Sequence, residues 1–271
     1  MVSSIQIKNI KVYYLDLNKG RKTLLLIHGF AIDSTIWGRI LPSLKHFHII
    51  CLDLPGYGLN TSNPRNADAK SQAQFLDEFM QVYGNIDCIL GYSYGARVLY
   101  EYCKNFKQKA KKIIIVAAPF FQISISYILI RQLLRLFLSN FYLSKAAIYL
   151  GTTYPIYRMI LKSWGITNMQ NKSIIFETIQ MIRRGNDPIK IMQSIADVFI
   201  PCTDGIMNYS GELTYVYGDM DGSATIPMVN RRIKSDQKGQ LTTIRDAYHL
   251  IPLEVPEQLV KIIKTIVKSG D

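Results

Sequence analysis

The chain has 271 residues, 48% of them apolar, and its 32 Lys and Arg against 20 Asp and Glu leave a formal charge of +12. This is a globular composition, large enough for one core with an inserted subdomain or for two domains. The positive balance reads first as a lysine-rich solvated surface and second as a preference for acidic partners; without zinc-finger spacing or an aromatic-interleaved basic motif, nucleic acid is not expected as a partner.

Residues 5–10 and 12–17 alternate or run apolar, and a turn at Gly20 separates them from 24–27. The chain therefore opens as two or three strands, the first pair antiparallel. Leu24, Leu25, Leu26 and Ile27 show no polar alternation, as in a strand covered on both faces, and they run into His28-Gly29-Phe30. Asp33 or Ser34 caps a helix with Trp37, Ile40, Leu41 and Leu44 as its apolar stripe. Residues 47–54 form another buried strand that ends in Asp53-Leu54-Pro55-Gly56-Tyr57-Gly58, and a helix from Ser71 places Phe75, Leu76, Phe79 and Tyr83 on one side.

The apolar run 88–90 then meets Gly91-Tyr92-Ser93-Tyr94-Gly95, and Val98, Leu99, Tyr102, Cys103 and Phe106 follow on one helical face. Strand, sharp turn and helix put Ser93 at the apex. Side chains two positions either side of so tight a turn would clash, which gives Gly91 and Gly95 a steric reason to be there. The turn lifts Ser93 Oγ above the sheet edge and leaves the Tyr94 N–H unpaired in the first helical turn.

Residues 113–130 are eighteen positions without a charge, the lower limit for a spanning helix. Pro119 interrupts them and Gln122, Ser124 and Ser126 follow, so a buried strand running into a helix is the better account. From 119 to 205 the pattern is helical, aromatic and basic, an insertion that would cover the strand ends as a lid. The sheet resumes at 213–217, leading into Gly218-Asp219-Met220-Asp221-Gly222, and a strand at 241–245 ends near His249. A last helix at 255–268 sets Leu259, Ile262, Ile263 and Ile266 against lysines. The organisation is a core of 1–118 and 206–271 with the insertion between them, around a parallel sheet whose ligands bind at the carboxyl ends of its strands.

Ser93, Asp221 and His249 follow strands in the order serine, acid, histidine. A serine hydroxyl is a poor nucleophile at neutral pH and needs a neutral imidazole to take its proton and a carboxylate to hold that imidazole in the right tautomer. Asp219, in the same loop, is the rival acid. No His, Cys and Asp cluster has metal-ligand spacing, and no cofactor motif appears. Four widely separated cysteines, and no cationic stretch followed by an apolar run at the N-terminus, lead us to expect reduced thiols, no secretory signal and a cytoplasmic location.

With these residues in view the sequence resembles the α/β-hydrolase superfamily over nearly its whole length. His28-Gly29-Phe30 resembles that family's oxyanion turn, and Asp53 to Gly58 its Asp-x-x-Gly-x-Gly segment, with Asn60 where serine is usual. Gly218-x-x-Asp221 resembles the acid turn, and His249 with Glu254 and Pro256 the histidine loop; Tyr248 and Ala96 stand where glycines are common. The resemblance implies a mostly parallel eight-stranded sheet with a helical cap. Ser93 would be nucleophile, His249 base and then acid, Asp221 the orienting carboxylate, and the N–H groups of Phe30 and Tyr94 the oxyanion hole. His28 would buttress its turn. The serine disfavours the aspartate-nucleophile branches. The stretches 28–37 and 217–222 look most like small cytoplasmic carboxylesterases, including methyl ester esterases of biotin synthesis that act on a chain held by acyl carrier protein. In these, cap arginines grip the acidic carrier, a role that Arg131, Arg135 and Arg158 would suit. Two other readings stay open. Arg97 after the elbow also resembles a pyruvate-eliminating synthase of the menaquinone pathway, and the fold could serve a ligand-binding protein without turnover.

Overall fold

The computed structural model describes residues 1–106, 110–119, 140–166, 168, 171–198 and 209–268. Its strands are β1 (Val2–Ile7), β2 (Ile10–Leu17), β3 (Thr23–Ile27), β4 (His48–Leu52), β5 (Cys88–Tyr92), β6 (Lys112–Val116), β7 (Glu212–Gly218) and β8 (Gln240–Ile244). They form one eight-stranded sheet in the order β1-β2-β4-β3-β5-β6-β7-β8. β2 runs antiparallel to both β1 and β4, and the remaining pairs are parallel. This is the mostly parallel α/β sheet that the motif order implies.

The helices are α1 (Ala69–Tyr83), α2 (Tyr94–Asn105), α3 (Phe141–Gly151), α4 (Tyr154–Trp164), α5 (Lys172–Arg183), α6 (Pro188–Val198), α7 (Ile226–Asp236) and α8 (Pro256–Lys268). The central strands are apolar end to end because helices cover both faces: Leu24 to Ile27, Ile49 to Leu52 and Ile113 to Val116 are buried throughout. Asp68 caps α1 by accepting from the Ser71 N–H. Phe79 of that helix meets Tyr14 of β2 edge to face at 5.6 Å, closing one side of the core. The uncharged stretch after 112 begins as β6; its residues 120–130 lie outside the described residues. No helix among the described residues is long and apolar enough to cross a membrane.

One expected helix takes another form. The stripe of Trp37, Ile40 and Leu44 is buried, but two short 3₁₀ helices carry it, Ser34–Arg39 and Leu41–Leu44. Pro42 explains the break, since it lacks an N–H and its ring would strike the carbonyl four residues back in an α-helix. Asp33 is the cap, accepting from Thr35 N–H. The last helix, expected over 255–268, is α8, which starts on Pro256; a short helical turn, Ile251–Glu254, precedes it.

α7 leaves little trace in the sequence. Only Val229 and Asp236 of it are buried, so the apolar periodicity that reveals a helix is nearly absent.

Helices α3 to α6 lie between β6 and β7 in the chain. They are anchored to the core through loops at the carboxyl edge: Asp187 N–H donates to Gly56 O at 2.9 Å, Gly58 N–H to Asn186 Oδ1 at 3.0 Å and Ala69 N–H to Asp197 Oδ2 at 2.9 Å.

Candidate active site

Ser93 stands between β5 and α2 with φ 51° and ψ −113°, a left-handed backbone that L residues rarely adopt. Two close approaches hold the strain. Ser93 N–H donates to Val116 O at 2.8 Å, tying the turn to β6. A Cβ on Gly91 would lie 2.6 Å from Gly95 O, and one on Gly95 would lie 2.6 Å from Ile27 O, so only glycine fits at either place.

From this turn a hydrogen-bonded line crosses to the far end of the sheet. Ser93 Oγ is 2.8 Å from His249 Nε2, and His249 Nδ1 is 2.9 Å from Asp221 Oδ2. The carboxylate can only accept, so Nδ1 carries the proton and the Nε2 lone pair faces the serine. Asp221 and Asp219, rivals in the sequence, are separated here: Asp221 is buried against the histidine and Asp219 is exposed.

A further side chain, which the sequence reading missed, completes the cluster. Ser223 N–H and Oγ–H donate to Asp221 Oδ1 at 2.8 and 2.7 Å, and the same Oγ lies 3.0 Å from His249 Nδ1. Its signal in the sequence was faint, a hydroxyl two residues beyond the acid in a glycine turn.

The loops bearing the acid and the histidine are both pinned by the turn that ends α4. Gly222 N–H donates to Gly165 O at 3.0 Å, and His249 N–H to Ile166 O at 2.8 Å. Burial pushes the His249 imidazolium pKa down, but the charge of Asp221, its hydrogen bond and the charge of Glu254 outweigh that and leave it raised above 6.5.

Beside Ser93 opens a cavity of about 300 Å³. Ile148, Ile160, Leu161, Ile182, Ile191 and Met192 supply much of its wall from α3 to α6. No Asp, Glu, Lys or Arg lines it among the described residues. Phe30 borders it from the turn after β3, and Tyr94 opens α2, where a first-turn N–H has no helical acceptor. The arrangement can move a proton from Ser93 Oγ to His249 while donors sit beside any anion that forms.

The neighbouring motifs are structural. His28 donates from Nδ1 to Gly29 O at 2.7 Å and accepts the Leu54 N–H at Nε2, 3.0 Å, cross-linking the turns after β3 and β4. Asp53 accepts from Ser34 and Leu59 N–H at 2.7 and 2.9 Å. Asn60, where serine is usual, bonds Asp53 O at 2.7 Å and both backbone groups of Tyr13, so the amide ties this loop to β2.

Arg97 is buried with its Nε 3.5 Å from Asp197 of α6 and does not border the cavity. Arg158 is exposed on α4, while Arg131, Arg135 and Cys202 lie outside the described residues. Cys51, Cys88 and Cys103 are buried free thiols. No group of three His, Cys, Asp or Glu that could hold a metal occurs among the described residues.

A family model described as alpha/beta hydrolase fold matches residues 22–165. Lipase 3 of Moraxella sp. (strain TA144) is 35% identical over 109 residues, 39% of this chain and 34% of the lipase, so the match spans about a third of that relative's length. The pimeloyl-[acyl-carrier protein] methyl ester esterase of Serratia marcescens is 27% identical over 107 residues, 40% of each chain. Among solved structures, a thermophilic esterase from Thermogutta terrifontis superposes with TM-score 0.78 over 98% of both chains at 18% identity, a likeness of fold.

Proposed function

From the premise that this chain belongs to the alpha/beta hydrolase fold family, we propose that it is a serine hydrolase of carboxylic esters acting through an acyl-enzyme. The observation that carries the proposal is the line from Ser93 Oγ through His249 to Asp221 beside an apolar cavity. Ser93 Oγ attacks the ester carbonyl carbon as its proton passes to His249 Nε2, and Asp221 stabilises the imidazolium. The N–H groups of Phe30 and Tyr94 receive the oxyanion; the loss of one such donor typically costs about 10² to 10³ in kcat. The tetrahedral intermediate collapses, the alcohol leaves with the proton from His249, and water repeats the sequence to free the acid and restore Ser93. Residues 119–205 act as the cap that encloses the acyl chain.

The more specific form of the substrate, an acyl chain on acyl carrier protein, draws on the pimeloyl-carrier esterase match and on Arg158 of the cap, with Arg131 and Arg135 as further candidates. Cleavage of a carrier-bound ester that is insensitive to salt would remove electrostatic docking from that form. The pyruvate-eliminating alternative rests on Arg97, which lies 3.5 Å from Asp197 and does not border the cavity, so the geometry favours the ester-hydrolase reading. A cytoplasmic location is consistent with three buried thiols in the free state.

A fluorophosphonate probe tests the central claim. Stoichiometric labelling that disappears in Ser93→Ala, together with turnover of p-nitrophenyl esters, is the expected result. A protein that binds ester analogues but is never labelled is a receptor instead.

A further inference from the structure

The outer side of the α3–α4 pair is inverted for a helix facing water. In α3 the buried residue is Ser144, while Tyr142 is 80%, Tyr149 60% and Leu150 58% exposed, with Phe141 and Leu143 exposed beside them. Met159 of α4 is 64% exposed, and Ile156 joins it. A helix packed on a core and bathed in water puts its large apolar residues inward. Exposed apolar groups gathered on neighbouring helices mark an interaction surface.

The charges on the same pair are all of one sign. Lys145, Arg158 and Lys162 are exposed, and from Glu101 to Glu177 the sequence has no other Asp or Glu. Meanwhile the inner side of these helices, through Ala147, Ile148, Tyr157 and Leu161, borders the cavity beside Ser93. One pair of helices thus separates an acyl-sized cavity from an exposed apolar and cationic face.

We propose that this face docks on an anionic phospholipid bilayer. Tyr142, Tyr149, Leu150 and Met159 enter the boundary between headgroups and acyl chains, and Lys145, Arg158 and Lys162 meet the phosphates. An ester dissolved in the bilayer then reaches the cavity across the thickness of one helical layer; this last step rests on the hydrolase reading, and the docking does not. A second copy of the chain is a poorer occupant, because a two-fold contact would set these cations against each other with no carboxylate on α3 or α4 to pair them. An acidic protein accounts for the cations but leaves the exposed tyrosines, leucines and methionine without a role.

Flotation of the purified full chain with phosphatidylcholine vesicles, with and without phosphatidylglycerol, tests the proposal. Binding to the mixed vesicles, weaker on phosphatidylcholine alone and weakened by salt, is expected. Lys145→Glu, Arg158→Glu and Lys162→Glu should each lower partitioning by about fivefold or more, and Tyr142→Asp with Leu150→Asp should abolish it. That double variant should keep the far-UV circular dichroism of the parent and its probe labelling at Ser93, which separates lost docking from lost folding. Ser93→Ala should float like the parent, so an unreactive serine leaves the docking intact and absent flotation leaves the chemistry intact. The proposal is overturned by failure to float with any vesicle, by flotation indifferent to both sets of variants, or by capture of an acidic carrier protein without vesicle binding.

Discussion

At the scale of single residues, the proposed mechanism makes the proton on His249 set the pH dependence. The imidazole acts as base only when neutral, and the charges of Asp221 and Glu254 hold its pKa above 6.5 against the effect of burial. As pH falls through that raised value Nε2 becomes protonated and turnover stops, so the acid limb of kcat/KM should have its midpoint above pH 6.5. Glu254→Gln removes one raising contribution while keeping an acceptor for the Tyr248 N–H. Its midpoint should move to lower pH with the plateau kcat unchanged; a midpoint that stays in place would remove Glu254 from the electrostatics of the site. Ser223 acts one bond further out, donating to Asp221 and presenting an oxygen to His249 Nδ1. Ser223→Ala should lower kcat by about threefold to tenfold, the worth of one hydrogen bond, with KM little changed. A defect confined to KM would place the hydroxyl in substrate contact instead. Ser93, Asp221 and His249 are legible in the sequence as candidates because each sits in a turn with glycines or a strand before it, and the structure brings the three together. Ser223 was silent because its importance comes from a position in space that no periodicity encodes.

At the scale of elements, the strands were legible because burial on both faces leaves an unbroken apolar run, and β3, β4, β5 and β6 fall within a residue or two of their expected places. The parts that escaped have their own physics. Pro42 turned an expected helix into two 3₁₀ segments, and α7 hides in a polar sequence because it touches the core through few residues. The elbow is the element on which the site depends, and its glycines carry a prediction. The Cβ of Gly95→Ala would meet the carbonyls of Ile27 and His28, backbone that cannot move without breaking β3 from its turn. Overpacking of this kind typically costs about 1–3 kcal/mol, and here it also displaces Ser93. Gly95→Ala should therefore lower the thermal midpoint and lose probe labelling together. A variant as stable and reactive as the parent would show that the turn is looser than its geometry implies.

At the scale of the whole molecule, the carboxyl edge of the sheet and helices α3 to α6 meet in one apolar space, and its chemistry constrains what can be bound. The cavity of about 300 Å³ is at the small end of ligand sites, which span roughly 300–1,000 Å³. No charged side chain borders it among the described residues, so a carboxylate on the substrate's far end would be desolvated without a partner, at a cost of several kcal/mol. Each buried methylene of a neutral chain, by contrast, adds up to about 0.8 kcal/mol, roughly fourfold in kcat/KM where the contact persists in the transition state. A series of p-nitrophenyl esters should accordingly rise steeply from acetate through butyrate and hexanoate, then turn over once the chain outgrows the cavity. A half-ester of the same length ending in a free carboxylate should be far poorer, while masking that carboxylate as an ester or as the thioester of a carrier should restore the rate. A flat series, or a preference for the free carboxylate, would mean that the acyl group lies elsewhere than in the space between the sheet edge and α3 to α6.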